Sequence, residues 1–185
     1  MWYYSYRGDV LEKIDDIAKW FINETNPDPL KLQKLLYLAQ GISYCINDCE
    51  LFDEELEAWV HGPVNRDVYF KYKGYEYNPI DIKYEMPKFS EETYKVLEYV
   101  RDNYAKYDSR YLEELTHLQE PWIYARTGLD PDERNDKIIP KAIISDYFTS
   151  IMFQPNESEW DRWLVKYGII RQNCQIMMDI NLDQF

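Results

Sequence analysis

Apolar side chains recur at helical spacing along most of the chain, and this pattern predicts a mainly α-helical fold. Close to the N-terminus, Ile14, Ile17 and Phe21 fall on one face of a helix. We therefore expect a first helix from about Asp9 to Asn23.

The second predicted helix is apolar on almost every face. Asp28 is suited to cap its N-terminus, and Pro29 is suited to its first turn. The apolar positions run around the helix and are Leu32, Leu35, Leu36, Leu38, Ala39, Ile42 and Ile46. Because a helix that is apolar on most faces is normally buried, it is expected to form the centre of the fold.

The pattern changes between residues 47 and 64, where apolar residues are interleaved with acids. This segment predicts a short strand or an extended connection, a small β element around residues 50–62 that ends in a turn at Gly62-Pro63. A short helix is expected over residues 64–73. A loop rich in Tyr and Pro then follows to Pro87, and its pattern allows a short strand at residues 80–84.

Caps and prolines divide the C-terminal half of the chain into short helices. Ser90 and Ser109 are expected to cap two of them, while Pro121 and Pro140 begin two more. A last helix is expected after Pro155. The resulting interpretation is a compact helical domain over residues 1–155, with a C-terminal extension at residues 156–185 that packs on the same domain.

Composition narrows the classes of partner. The 185 residues carry a net charge of −13, which favours a basic protein partner over nucleic acid or an anionic membrane.

Three cysteines do not form a disulfide framework, and Cys45 and Cys49 would share a helix face if the second helix reached that far. No apolar run is long enough to span a membrane and no signal peptide is recognisable, so the cytoplasm is the simplest location.

No motif points to catalysis, a cofactor or a metal. The closest two glycines, Gly62 and Gly74, are 12 residues apart, which excludes a dinucleotide fingerprint and a P-loop. His61 and His117 are the only histidines, and neither stands in a recognisable nucleophile motif. Metal-binding motifs such as Cys-x-x-Cys are absent as well. We therefore expect a non-enzymatic protein.

Aromatic residues are more numerous than a core of this size needs. The chain has 6 Trp, 18 Tyr and 7 Phe, and Tyr and Trp often anchor protein interfaces. A basic patch of Arg66, Lys71 and Lys73 among tyrosines leaves nucleic-acid binding open as a minor alternative.

An ordered set of motifs resembles a known family. The segment KLQKLLYLAQ at residues 31–40 is followed by EAWVHGPV at residues 57–64 and then by Val68-Tyr69. This order resembles the Panacea family of SocA-like antitoxins, also described as phage-associated GepA proteins. Thr116-His117 with Pro121-Trp122 resembles a second, looser signature, so the similarity spans about residues 10–150.

The resemblance implies an antitoxin that neutralises a partner toxin by direct contact, in a toxin–antitoxin system of a phage or mobile element. The toxin would be encoded in an adjacent gene. Two alternatives stay open: an adaptor that delivers a toxin to a AAA+ protease, and a phage protein that inhibits a host defence complex.

The motif residues have two expected roles. Gly62, Pro63 and Val64 are expected to shape the fold, with Gly62 allowing a turn or a close approach and Pro63 starting the next helix. The surface that faces the partner is expected to include Trp59, His61, Arg66, Tyr69, Tyr72, Tyr75 and Trp122.

Overall fold

The computed structural model describes residues 11–152, and for residues 151 and 152 it describes the backbone alone. Within these residues the fold is mainly helical, as predicted. The α-helices are α1 (Ile14–Thr25), α2 (Pro29–Ile46), α3 (Arg66–Tyr72), α4 (Glu91–Tyr104), α5 (Ser109–His117), α6 (Glu120–Ala125) and α7 (Lys141–Met152). A 3-10 turn, Lys73–Tyr75, follows α3, and the strands are β1 (Glu57–Trp59) and β2 (Gly62–Val64). The predicted helix after Pro155 and the extension at residues 156–185 lie outside the described residues.

Helix α2 lies at the centre of the fold, as its apolar pattern predicted. Pro29 is its first residue, and the Asp28 carboxylate accepts a hydrogen bond from the Lys31 amide at 2.9 Å. Every residue from Leu32 to Cys45 is buried. The elements that pack around α2 are α1, α3, α4, α5, α7 and β2. The helix is therefore the scaffold on which the other elements are positioned.

Helix α7 approaches α2 closely because position 41 is a glycine. A Cβ on Gly41 would lie 2.4 Å from carbon atoms of the Phe148 ring. That ring packs edge-to-face on Tyr37, with centroids 5.6 Å apart. The last described helix is thus packed directly against the centre of the fold.

The β element is a two-stranded antiparallel hairpin formed by β1 and β2, which we call the hairpin (residues 57–64). Its turn consists of Val60 and His61, so the predicted turn at Gly62-Pro63 is wrong, and both residues belong to β2. Pro63 is compatible with β2 because an edge strand does not need every amide as a donor. On its other side, β1 meets the segment around Ile138, where the Ala58 amide donates to the Lys137 carbonyl at 2.8 Å.

Helix α1 begins at Ile14, later than the Asp9 start that its periodicity predicted. The preceding residue Glu12 forms a parallel bridge with Phe52, and its amide donates to the Leu51 carbonyl at 2.9 Å. The Ile14 amide then donates to the Glu54 carboxylate at 3.2 Å. A long-range contact therefore holds the chain extended where local periodicity favours a helix.

Two of the predicted helix starts are also corrected. Helix α3 begins at Arg66 and not at residues 63–64, because the Asn65 side chain caps it by accepting a hydrogen bond from the Val68 amide at 3.0 Å. Likewise Asp108, not Ser109, caps α5. The Ser90 cap of α4 is confirmed by its hydrogen bond from the Thr93 amide at 3.1 Å.

Residues 80–84 form no strand. The Ile80 amide donates to the Pro27 carbonyl at 2.9 Å, and the Asn23 side chain bonds both the amide and the carbonyl of Tyr84 at 3.0 Å. These isolated hydrogen bonds hold the segment in place without the repeated backbone pairing that defines a strand.

Helix α2 ends at Ile46, so Cys49 lies beyond it and the two cysteines do not share a helix face. Cys45 is buried and Cys49 is partly buried. Among residues 11–152, no helix combines the length and the apolarity needed to cross a bilayer.

Candidate functional site

A groove of about 870 Å³ lies between the hairpin tip, the start of α3 and the loop at residues 132–136. Its lining includes Trp59, His61, Arg66 and Tyr69, four of the residues predicted to face a partner. The Trp59 and Tyr69 rings pack edge-to-face with centroids 4.8 Å apart. Four of the seven side chains that the sequence singled out are therefore brought together in one place.

Arg66 is paired with acidic groups of its own chain. Its guanidinium donates two hydrogen bonds to the Glu57 carboxylate, at 2.8 and 2.9 Å, and lies 3.5 Å from Asp136. Glu57 also accepts a hydrogen bond from Trp59 Nε1 at 2.6 Å. Burial alone would raise the pKa of Glu57, but the hydrogen bonds from Arg66 and Trp59 hold it below its ordinary value. These contacts fix the orientation of both Arg66 and Trp59 in the groove.

The hairpin backbone is held by side chains from other parts of the fold. Three of its carbonyls accept such hydrogen bonds: Trp59 O from Trp122 Nε1 (2.9 Å), Ala58 O from Arg126 Nη1 (3.1 Å) and Asn135 Nδ2 (2.9 Å), and Pro63 O from Lys34 Nζ (3.2 Å). Because these donors come from α2, α6 and the segment after α6, the hairpin is tied to three separate regions.

Arg126 holds the loop on the opposite side of the groove. Although only 7% exposed, it carries a guanidinium whose Nη2 donates to the carbonyls of Asp130, Pro131 and Glu133 at 2.9–3.0 Å. The guanidinium also lies over the Trp122 ring, 5.1 Å from its centroid. Both sides of the groove are therefore preformed, which lowers the entropy that a partner would have to overcome on binding.

A fully buried lysine lies beneath the hairpin, and sequence reasoning did not single it out. Lys34 is 0% exposed, and burial lowers its pKa to about 7, against the opposing effect of Glu113. A Cβ on Gly62 would lie 2.6 Å from Lys34 Nζ and 2.8 Å from Thr116 Oγ1. The sequence did contain a signal for Lys34, because a lysine in a helix that is predicted to be buried needs a polar partner.

The two histidines lie at different depths near α5. His61, with a side chain 73% exposed, has its Nδ1 atom 2.7 Å from Glu113 Oε1. His117 stacks on Trp122 at a centroid distance of 4.1 Å, and burial lowers the pKa of His117. Within residues 11–152, no three His, Cys, Asp or Glu side chains come together as a group that could hold a metal ion.

One comparison with known proteins gives a match. Residues 32–123 match the family model described as antitoxin SocA-like, Panacea domain. The chain contains a domain of this family. The matched part contains Lys34, the hairpin and Trp122, whereas Arg126 and the loop at residues 132–136 follow it. No curated protein and no solved structure was found to match the chain.

Three predicted surface residues of the Panacea protein lie outside the groove lining. Tyr72 is only 1% exposed, and its hydroxyl is 3.0 Å from that of Tyr84, so it belongs to the core and its prediction as a contact residue is corrected. Tyr75 is partly buried in the 3-10 turn. Trp122 supports the hairpin through its bond to the Trp59 carbonyl. Gly62, Pro63 and Val64 are all buried in β2.

The basic patch of the Panacea protein is largely compensated by acids of its own chain. Arg66 pairs with Glu57, and Lys71 pairs with Asp15. Lys73 lies over the Phe70 ring, 4.6 Å from its centroid. Since phosphate binding depends on uncompensated cations, this patch does not favour nucleic acid as a partner.

Proposed function

We propose that this Panacea-domain protein is an antitoxin that neutralises a partner toxin by direct binding, and that the groove beside the hairpin is the contact surface. Membership of an antitoxin-like family supports the first part. The observation that carries the second part is the convergence of Trp59, His61, Arg66 and Tyr69 on one groove. The proposed action is stoichiometric and needs no catalysis.

Charge and aromaticity together suggest how the partner is bound. The net charge of −13 would attract a toxin with a basic surface and accelerate their encounter. Trp59 and Tyr69 would then provide anchors in a preformed groove. The proposal places both proteins in the cytoplasm, with the toxin encoded in an adjacent gene.

Co-expression tests the proposal directly. Each neighbouring gene product is expressed alone and together with this chain, and growth is measured. One of them should arrest growth alone, be tolerated on co-expression, and co-purify with the tagged chain in stoichiometric amount. If no neighbouring product behaves in this way, the antitoxin proposal is wrong. Protection that disappears in a host lacking one AAA+ protease would instead indicate an adaptor.

A matched pair of tyrosine variants tests the groove itself. Tyr69→Ala should weaken toxin binding about tenfold or more, because it removes one aromatic anchor. Tyr77→Ala should leave binding unchanged, since Tyr77 is 85% exposed and does not line the groove. Thermal melting shows whether each variant is folded. Equal affinity of the two folded variants for the toxin would exclude the groove as the contact surface.

A further inference from the structure

We infer that Lys34 is a positioning residue for the hairpin: from the central helix, its buried amine holds the hairpin in the shape that forms one side of the groove. For the role of the groove in binding, this inference rests on the proposed function. The positioning itself does not depend on any partner.

The geometry connects Lys34 to the hairpin at two adjacent residues. Lys34 Nζ donates to the Pro63 carbonyl at 3.2 Å, and its tip fills the space beside Gly62. This space is available because Gly62 has no Cβ and adopts φ +94°, a conformation that favours glycine. Thr116 Oγ1 from α5 reaches the same space. The amine thus lies where α2, β2 and α5 meet.

Glu113 on α5 is the acidic side chain that concerns both Lys34 and the hairpin tip. Glu113 is the acidic group whose charge acts on Lys34, and its carboxylate is 2.7 Å from Nδ1 of His61. The other titratable group close by on α5 is His117. Lys34 therefore contacts the hairpin at β2, and Glu113 contacts its turn.

Packing alone does not account for a lysine at this position. Burying an amine is unfavourable, and an apolar side chain of similar length would fill the same volume without that cost. What an apolar side chain lacks is the hydrogen bond to the Pro63 carbonyl and the attraction to Glu113. Compared with an apolar side chain, lysine at this position adds a hydrogen bond that fixes the hairpin.

Lys31 provides a matched control on the same helix. Its amine donates to the Ala105 carbonyl at the end of α4, at 2.6 Å, and is only partly buried. Lys31→Met therefore removes a lysine–carbonyl bond from α2 without touching the hairpin. A general loss of stability would affect both variants, whereas loss of positioning affects only Lys34→Met.

Amide hydrogen exchange measures the positioning without any ligand. In Lys34→Met, exchange of the amides between residues 58 and 64 should accelerate about tenfold or more, while the melting temperature stays the same or rises. Lys31→Met should leave hairpin exchange unchanged. If Lys34→Met expresses poorly, Lys34→Leu decides the same question, because it removes the same bond to the Pro63 carbonyl and should accelerate hairpin exchange in the same way. Hairpin exchange equal to that of the wild type would overturn the inference.

The co-expression assay then tests the consequence for binding. Lys34→Met should bind the toxin about tenfold or more weakly and protect cells poorly, whereas Lys31→Met should protect like the wild type. Accelerated exchange with full protection would retain the positioning role and exclude the groove as the binding surface. The two failures are therefore distinguishable.

Discussion

Replacing Gly62 with alanine is expected to destabilise the protein by two separate mechanisms. The backbone at Gly62 has φ +94°, a conformation that is strained for any residue with a Cβ. The new methyl group would also lie 2.6 Å from Lys34 Nζ and 2.8 Å from Thr116 Oγ1. Both neighbours are buried, so neither can move into solvent to make room.

The expected magnitude follows from adding the two effects. A non-glycine residue in such a backbone conformation costs about 1–3 kcal/mol. Forcing an extra methyl group into a packed interior costs about 1–3 kcal/mol more. We therefore expect Gly62→Ala to lower the free energy of unfolding by about 2–6 kcal/mol, a large part of the ~5–15 kcal/mol that stabilises a typical domain.

Two other glycines separate the mechanisms. Gly128 has φ +81° but nothing within 4 Å of a new Cβ, so Gly128→Ala should show only the backbone cost of about 1–3 kcal/mol. Gly74 has neither a positive φ nor a neighbour within 4 Å. Gly74→Ala should therefore be neutral or stabilise the protein by up to about 1 kcal/mol, because alanine restricts the unfolded chain.

Urea unfolding followed by circular dichroism gives the three free energies on one scale. If Gly62→Ala costs no more than Gly128→Ala, the steric part of the reasoning is refuted. A double-mutant cycle with Lys34→Ala then tests which neighbour is responsible. Shortening Lys34 should recover about 1 kcal/mol or more of the Gly62→Ala loss, whereas strictly additive effects would mean that Lys34 is not the obstacle.

Two further predictions concern buried cations. Arg126→Met should lower the free energy of unfolding by about 2–4 kcal/mol, because Arg126 is only 7% exposed and donates four hydrogen bonds to carbonyls that the variant leaves without this donor. Arg134→Met, at an exposed site on the same loop, should change it by less than about 0.5 kcal/mol, and equal losses in urea unfolding would contradict this role of Arg126. The free energy of unfolding should also contain a pH-dependent contribution from Lys34, whose pKa is lowered in the fold to about 7. Above pH 7 the unfolded chain binds more protons than the native one, so this contribution should rise with pH by about 1 kcal/mol per unit up to pH 9, and Lys34→Met should lack it. If the free energies of unfolding of the wild type and of Lys34→Met depend on pH in the same way, Lys34 makes no such contribution.

The sequence alone predicts those elements whose cause is local. The centre of the fold is one, because Asp28 caps α2 and the apolar residues behind it leave no polar face to expose. The cap at Ser90 is another, since a side chain bonds an amide three residues ahead. The family could also be identified from the sequence, because its signature is an ordered set of short segments that can each be read locally.

Distant contacts and the choice of a helix face decided two features that local sequence patterns did not predict. The start of α1 was predicted too early because the bridge between Glu12 and Phe52 overrides the local periodicity. Tyr72 was assigned to the surface because tyrosines are abundant there, yet its position one helical turn after buried Val68 turns it inward. That spacing was visible in the sequence and would have been the better guide.

The residues that form the groove were partly foreseen, but the groove itself was decided by the tertiary structure. Trp59, His61, Arg66 and Tyr69 lie close together in the chain, so a motif could suggest them. The opposite side comes from residues 132–136, and its shape depends on Arg126, whose bonds to carbonyls carry no sequence signature. Lys34 was hidden for the same reason, because its carbonyl partner is 29 positions away. Local patterns in the sequence determined most of the helices. The pairing of backbone carbonyls with distant side chains depends on the folded path of the chain, so only the tertiary structure decided it.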